Sequence, residues 1–201
     1  MSRQLVQQLG FLNAKKTLFL LCDVQEKFRP AIKNFDSMVK NTQKLISAGK
    51  SLEVPLICTE QYPEKLGNIV KELDIKHASG VYPKSLFSMA IPEINSKINE
   101  LFGSNLESVV IFGIEAHICV EQTAMDFRAQ GIDVHVVADC SLSRSLDDRT
   151  LAFERLKQIG CFVTTSENVI FKLLKTKDNP KFNDVRKYVS EVSADTGLSK
   201  L

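Results

Sequence analysis

Residues 17–24, Thr-Leu-Phe-Leu-Leu-Cys-Asp-Val, and residues 108–114, Ser-Val-Val-Ile-Phe-Gly-Ile, are the two stretches that decide the fold. They contain the continuous apolar runs Leu18–Cys22 and Val109–Phe112, which have strand length, as expected where helices cover both faces of a parallel sheet. Four further runs have strand character: 55–59, 80–83, 132–138 and 161–164. Because helical patterns separate these runs, the sequence predicts an α/β fold. We expect a doubly wound three-layer α/β/α sandwich with a mostly parallel sheet of about six strands.

Apolar residues at helical spacing form stripes from Met38 to Ile46 and from Ile94 to Phe102, and both stripes are expected to pack on the sheet. Acidic and capping residues predict another helix over 147–159. After Pro180 we expect a last helix over 181–190 and then a loose polar tail.

Composition and charge restrict the possible functions. The chain has 201 residues, of which 44% are hydrophobic and 25% charged, and we expect one domain over residues 1–201. Its core covers about 17–171, and the terminal helix and tail cover 180–201. With 26 basic and 24 acidic residues the net charge is only +2, so no nucleic-acid partner is expected. The apolar runs are shorter than the roughly 20 residues that cross a bilayer, so no membrane partner is expected either.

The cysteines indicate a reducing compartment. There are five, an odd number without a CxxC pair, which favours free thiols and a cytoplasmic protein. The first 22 residues contain Arg3, Lys15 and Lys16 but no acid. This resembles a mitochondrial presequence in charge, so the sequence leaves a mitochondrial or nuclear fraction open.

Candidate catalytic residues lie where the predicted strands end, because ligands of open α/β sheets bind at the carboxyl ends of the strands. Cys119 falls in the first turn of a predicted helix, where unpaired N–H groups favour a thiolate. Asp23 and Lys84 follow two other strands and offer a base and a cation. The alternative is structural: Cys119 is a small buried residue, Asp23 caps a loop, and Lys84 is a solvated charge.

Three motifs resemble the isochorismatase-like cysteine hydrolases, a superfamily that includes nicotinamidases, in the family's order and spacing. They are Leu-Cys-Asp-Val-Gln at 21–25, Tyr-Pro-Lys-Ser-Leu-Phe-Ser at 82–88, and Gly-Ile-Glu-Ala-His-Ile-Cys-Val-Glu-Gln-Thr-Ala at 113–124. Further stretches, at 59–63 and 143–145, are similar to the eukaryotic isochorismatase domain-containing proteins.

The resemblance implies a catalytic triad in which Cys119 is the nucleophile, Asp23 the base and Lys84 the cation that holds the thiolate. It also implies a cis peptide bond at Ile114–Glu115, with the N–H groups of Glu115 and Cys119 as the oxyanion hole. The expected reaction is hydrolysis of an amide, ester or related bond of a small molecule, without a cofactor.

The sequence departs from the metal-binding nicotinamidases, which carry an Asp-x-His motif after the second strand. This chain has Glu60, Gln61 and Tyr62 there, and its histidines are far apart, so no metal is expected. The substrate-binding candidates are Phe28, Glu60, Gln61, Tyr62, Phe87 and His117. For Phe28 and Phe87 the alternative is ordinary core packing, and for His117 it is a polar position in a helix turn.

Two other functional classes remain as alternatives to the hydrolase. One is a binding or scaffold protein that keeps the hydrolase fold without its activity, which an unreactive Cys119 would favour. The other is a ribonuclease, which the low net charge makes the weakest of the three. The resemblance also implies a homo-oligomer, since family members commonly associate.

Overall fold

The computed structural model describes residues 9–198. Within these residues, six strands form a single sheet. The strands are β1 (Thr17–Cys22), β2 (Leu56–Gln61), β3 (Gly80–Lys84), β4 (Ser108–Ile114), β5 (Asp133–Leu142) and β6 (Phe162–Thr164). Their order across the sheet is β3-β2-β1-β4-β5-β6, and every neighbouring pair is parallel. All six strands that the sequence predicts are therefore confirmed.

Seven α-helices lie within the described residues. They are α1 (Phe35–Ser51), α2 (Pro63–Leu66), α3 (Pro92–Phe102), α4 (Glu121–Ala129), α5 (Leu146–Gln158), α6 (Ser166–Leu174) and α7 (Phe182–Val189). The sequence patterns predict neither the short helix α2 nor α6. Apolar side chains from α1, α6 and α7 join one core cluster, and those from α3, α4 and α5 join a second.

The two clusters lie on opposite faces of the sheet, because successive side chains of a strand point to opposite sides. In β1, Phe19 and Leu21 belong to the first cluster and Leu18 and Leu20 to the second. The strand order changes direction between β1 and β4, where the following segments diverge and leave a crevice. The doubly wound sandwich predicted from the sequence is confirmed, and Asp23 lies at this crevice.

The tail after α7 is not loose as far as residue 198, which corrects the expectation from its polar composition. Asn41 donates from Nδ2 to the carbonyl oxygen of Ala194 (3.0 Å) and accepts from its N–H (2.8 Å). Arg149 donates to the carbonyl oxygen of Thr196 at 2.7 Å. Because Asn41 and Arg149 are almost fully buried, their polar groups require partners, and the tail backbone supplies them.

Residues 1–8 and 199–201 lie outside the described residues, so Arg3 and the beginning of the basic segment that resembles a presequence are not described. Within residues 9–198, no helix has both the length and the apolar character needed to span a bilayer.

His135, in the middle of β5, makes the stability of the fold depend on pH. Its ring is fully buried and stacks on Phe162 of β6, with the ring centroids 4.8 Å apart. Neither ring nitrogen has a hydrogen-bond partner among residues 9–198. Burial, helped by the positive charge of Lys172, lowers the pKa of His135 from 6.5 to about 3. As the pH falls, the His135 ring therefore takes up a proton in the unfolded chain but stays neutral in the folded protein.

Acidification is thus expected to destabilise the wild-type protein through His135. Between about pH 7 and about pH 5, the wild type should lose about 2 kcal/mol more unfolding free energy than His135→Leu. Urea denaturation of both proteins at the two pH values measures this difference, in which groups common to both cancel. Equal losses would show that His135 is not the buried neutral group described here.

Candidate active site

Asp23 and Lys84 form a buried ion pair at the carboxyl end of the sheet. Asp23 follows β1 with a left-handed backbone (φ 50°), and Lys84 is the last residue of β3. Lys84 Nζ lies 2.7 Å from Asp23 Oδ2, and the two side chains are 0% and 1% exposed. Two strands on either side of β2 thus bring together charges that are far apart in the sequence.

The Asp23 carboxylate is held from several directions. Thr59, at the end of β2, donates its hydroxyl to Asp23 Oδ1 at 2.7 Å. The Cys22 thiol donates weakly to Oδ2 at 3.5 Å. Because both oxygens have partners in addition to Lys84, the carboxylate has one fixed orientation toward the crevice.

Lys84 is surrounded by acceptors. Its ammonium group donates to Gln61 Oε1 (2.6 Å) and to the carbonyl oxygens of Leu86 (3.1 Å) and Phe87 (2.9 Å), besides Asp23. Burial acts to lower the pKa of Lys84, but its interactions with Cys22, Asp23 and Cys119 outweigh burial and raise the pKa. Lys84 is therefore a permanent cation in the site, and not a solvated surface charge.

Cys119 lies in a π-helical turn, Ala116–Val120, that leads directly into α4. Its Sγ, the Cys22 Sγ and a carboxylate oxygen of Asp23 all lie within 4.8 Å of one another. Only 7% of Cys119 is exposed. The structure thus brings together the three residues that the sequence analysis names as catalytic, with a base and a cation beside the thiol.

The backbone before Cys119 has two special features. Gly113 has a φ of 129°, and a Cβ there would collide with the carbonyl oxygen of Cys22, so only glycine fits beside β1. The next-but-one bond, Ile114–Glu115, is a cis peptide, at the position that the resemblance implies. The Glu115 carboxylate accepts from the N–H of Arg144 at 2.8 Å, so this side chain ties the turn to the loop before α5.

Of the expected substrate-binding residues, Tyr62 and Phe87 flank Lys84. Tyr62 is 53% exposed and Phe87 49% exposed, so neither is a core residue. The Tyr62 N–H donates to the carbonyl oxygen of Lys84 at 3.0 Å, which fixes it next to the triad. Phe28 instead packs against the core cluster on the α1 side of the sheet, which supports the packing alternative for this residue.

The side chains of Glu60 and Gln61 have different surroundings, although the two residues are adjacent in β2. Gln61 reaches Lys84 and also donates from Nε2 to the carbonyl oxygen of Ser85 at 2.9 Å, so it positions the lysine. The Glu60 carboxylate accepts from the N–H of Ile69 (2.8 Å) and from the Asn68 side chain (3.2 Å). Because strand side chains alternate, Glu60 points away from Lys84, so these contacts do not support a substrate contact, and that role stays a prediction.

His117 lies two residues before the thiol, in the same π-helical turn. Its Nδ1 is 2.9 Å from the Ser143 hydroxyl, and its Nε2 is 3.9 Å from Asp148 Oδ2. These contacts link His117 to the start of α5, as expected for a polar position in a helix turn. A substrate contact by His117 stays a prediction.

Three residues of the site were not predicted from the sequence to be functional: Cys22, Thr59 and Thr123. Cys22 and Thr59 are register partners across β1 and β2, so their place beside Asp23 follows once those strands are aligned. Thr123 accepts from the buried N–H of Met89 (2.9 Å) and donates to the carbonyl oxygen of Cys119 (2.6 Å). Its hydroxyl therefore joins the segment after Lys84 to the π-helical turn that contains Cys119.

Removal of that hydroxyl is expected to destabilise the protein. Thr123→Val keeps the shape but leaves the Met89 N–H buried without its partner, which should lower the unfolding free energy by about 1–3 kcal/mol. Thr123→Ser keeps the hydroxyl and should lose less. Urea denaturation of the three proteins measures the difference, and equal losses in both variants would argue against the link.

Cys22, Asp23 and Cys119 form the one group of possible metal ligands that lies close together within residues 9–198. The Lys84 ammonium, 2.7 Å from Asp23, already provides a positive charge at this carboxylate and repels a second cation. The donor set therefore fits a resident metal poorly, and the absence of a metal or cofactor stays a prediction.

All five cysteines are free and buried. Burial raises the pKa of Cys161 to about 12. Burial also raises the pKa of Cys22, Cys58 and Cys140, helped by neighbouring acidic groups. These four thiols therefore stay protonated near neutral pH, and their reaction with electrophiles is expected to be slow.

Comparison with known proteins points to one family. The model of the Isochorismatase domain matches residues 17–168, a segment that contains Asp23, Lys84 and Cys119. Isochorismatase domain-containing protein 1 of Danio rerio is 42% identical over 193 residues, which cover 96% of this chain and 68% of that protein.

Solved structures have the same fold. A Caenorhabditis elegans protein described as MAR1 ribonuclease has a TM-score of 0.88 and 39% identity, over 94% of this chain and 97% of that one. The YcaC gene product of Escherichia coli, described as an octameric hydrolase of unknown specificity, has a TM-score of 0.78 and 21% identity. That match covers 90% of this chain and 95% of the YcaC chain.

Proposed function

Since this chain belongs to the isochorismatase family, a family of hydrolases, we propose that it cleaves an amide, ester or related bond of a small molecule through Cys119, Asp23 and Lys84. One observation carries the proposal. A buried carboxylate, ion-paired to Lys84 at 2.7 Å, lies within 4.8 Å of the Cys119 thiol. A structural role alone would not require these three groups to meet at the crevice.

In the proposed reaction, Asp23 takes the proton of Cys119 and the resulting thiolate attacks the carbonyl carbon of the substrate. The N–H groups of Glu115 and Cys119 receive the oxyanion that forms. The intermediate collapses to a thioester when Asp23 passes its proton to the leaving group. Asp23 then activates a water that hydrolyses the thioester. Lys84, whose raised pKa keeps it positively charged, stabilises the negative charge of Asp23 and of the thiolate throughout.

The surroundings of the triad favour a small substrate with an apolar part. Tyr62 and Phe87 expose aromatic surface next to Lys84, and Leu86, which precedes Phe87 in the chain, is 60% exposed. We propose that Tyr62 and Phe87 are walls of the substrate site. The same exposed surface supports a homo-oligomer, as in the octameric YcaC protein, because association would cover it.

RNA cleavage is the competing activity, because the Caenorhabditis elegans relative is described as a ribonuclease. The site itself disfavours it. A phosphate backbone requires cations that are free to bind it, whereas Lys84 is buried and already has four acceptors. The net charge of +2 also gives little attraction for a polyanion.

The proposal is tested by trapping the thioester. The protein is mixed with a panel of small activated esters and amides, such as p-nitrophenyl acetate, and its mass is measured after rapid acid quenching. We expect an acyl group on Cys119 in the wild type and none at this site in Cys119→Ala. Turnover of the panel that survives in Cys119→Ala would overturn the proposed mechanism. Cleavage of an RNA oligonucleotide without turnover of the panel would favour the ribonuclease.

A further inference from the structure

We propose that Cys22 and Cys119 form a redox-active dithiol, in which a peroxide oxidises Cys119 and Cys22 then closes a reversible disulfide that switches the site off. This goes beyond hydrolysis, and it rests on the proposed function in one respect, the reactivity of Cys119. In the hydrolytic mechanism Cys22 serves only as a weak hydrogen-bond donor to Asp23, which does not account for a second thiol beside Cys119.

The geometry places the two thiols together. The Cys22 and Cys119 sulfurs and an Asp23 carboxylate oxygen lie within 4.8 Å of one another, although the two cysteines are on β1 and on the turn before α4. Cys22 is fully buried, whereas 7% of Cys119 is exposed at the crevice. A small oxidant therefore meets Cys119 first, and Cys22 is the thiol behind it.

Asp23 can serve this pair as a base. The Cys22 thiol is protonated, because burial above all raises its pKa well beyond the usual range. Its Sγ donates to Asp23 Oδ2 at 3.5 Å, so the carboxylate is placed to accept the proton when the sulfur reacts. The same carboxylate would thus serve both cysteines, in hydrolysis and in oxidation.

The proposed chemistry has two steps. The Cys119 thiolate attacks one oxygen of a peroxide, the O–O bond breaks, and Cys119 becomes a sulfenic acid while the other oxygen leaves as water or an alcohol after protonation. Cys22 then gives its proton to Asp23, its sulfur attacks the Cys119 sulfur, and hydroxide leaves and takes up that proton as water. The peroxide is reduced and the two thiols are oxidised by two electrons.

Disulfide closure needs a local movement. The sulfurs of a disulfide are about 2.05 Å apart, so the side chains must rotate and the turn 116–120 must shift toward β1. Closure would remove the nucleophile, and it would protect Cys119 from irreversible oxidation to sulfinic acid. No other pair of thiols belongs to such a group within residues 9–198.

Peptide mapping under non-reducing conditions tests the proposal. Wild type, Cys22→Ala and Cys161→Ala are treated with hydrogen peroxide, quenched with iodoacetamide and digested, and Cys119 is quantified by mass spectrometry. In the wild type and in Cys161→Ala we expect a linked 22/119 peptide that dithiothreitol resolves, with recovery of hydrolysis. In Cys22→Ala we expect Cys119 to accumulate as sulfinic acid, at least about tenfold more than in the wild type.

The wild-type result alone decides the proposal if Cys22→Ala does not fold. Sulfinic Cys119 without a 22/119 link, in protein whose untreated Cys119 reacts readily with iodoacetamide, would overturn the dithiol and leave the hydrolase proposal standing. A Cys119 that neither alkylates nor oxidises would overturn both.

Discussion

Replacement of Cys119 by alanine is expected to lower kcat/KM for a hydrolysed substrate by at least about a thousandfold, because Cys22, the other thiol in the site, is fully buried and protonated and cannot replace the nucleophile. The protein should still fold, since the change removes only one buried sulfur from a large core cluster. Steady-state kinetics on whichever ester or amide the panel identifies measures the loss, and circular dichroism checks the fold.

Cys161→Ala is the matched control, because it removes a buried thiol from the same side of the sheet but outside the site. We expect its kcat/KM to stay within about threefold of the wild type. A comparable loss in both variants would mean that thiol removal acts through packing, and the assignment of Cys119 as the nucleophile would then be wrong.

Lys84→Met is expected to lower the unfolding free energy by about 3–5 kcal/mol, the largest stability effect that the structure predicts. The change leaves the Asp23 carboxylate, 1% exposed, without its cation. It also strips a donor from Gln61 and from the two carbonyl oxygens that the ammonium holds. Urea denaturation at constant pH measures the loss.

The double variant Asp23→Asn/Lys84→Met separates the charge from the packing. Because the neutral amide no longer needs a cation, the double variant should recover part of the stability that Lys84→Met loses. Lys50→Met is the control, since the Lys50–Asp74 pair is half-exposed and its loss should change stability by less than about 1 kcal/mol. If Lys84→Met were no worse than Lys50→Met, the buried ion pair would not exist as described.

The sheet could be predicted from the sequence because its central strands are apolar on both faces and glycine, proline and capping residues separate the elements. That prediction also placed Asp23, Lys84 and Cys119 at strand ends, which is sufficient to bring them to one edge of a parallel sheet. The helix Ser166–Leu174 was not predicted. It follows a strand of only three residues, so no long apolar run marks the boundary at which the helix begins.

The positions of individual side chains and of the tail could not be predicted, and the reasons are physical. Glu60 and Gln61 are neighbours in the sequence, but strand alternation sends them to opposite sides, and only Gln61 reaches Lys84. The tail looks loose by composition, yet Asn41 and Arg149 bind it because they are buried and need partners. Such contacts depend on residues about 50 to 150 positions apart, which local patterns do not reveal.

The rate of iodoacetamide alkylation at each cysteine, followed by mass spectrometry as a function of pH, tests the central claim that Cys119 is a poised nucleophile. The account predicts that Cys119 reacts at least about a hundredfold faster than Cys22, Cys58, Cys140 and Cys161 near neutral pH, because burial keeps those four protonated. In Asp23→Asn this advantage should shrink. Slow alkylation of Cys119, at the rate of the other four and unaffected by Asp23→Asn, would contradict the account and favour a binding protein that keeps only the fold.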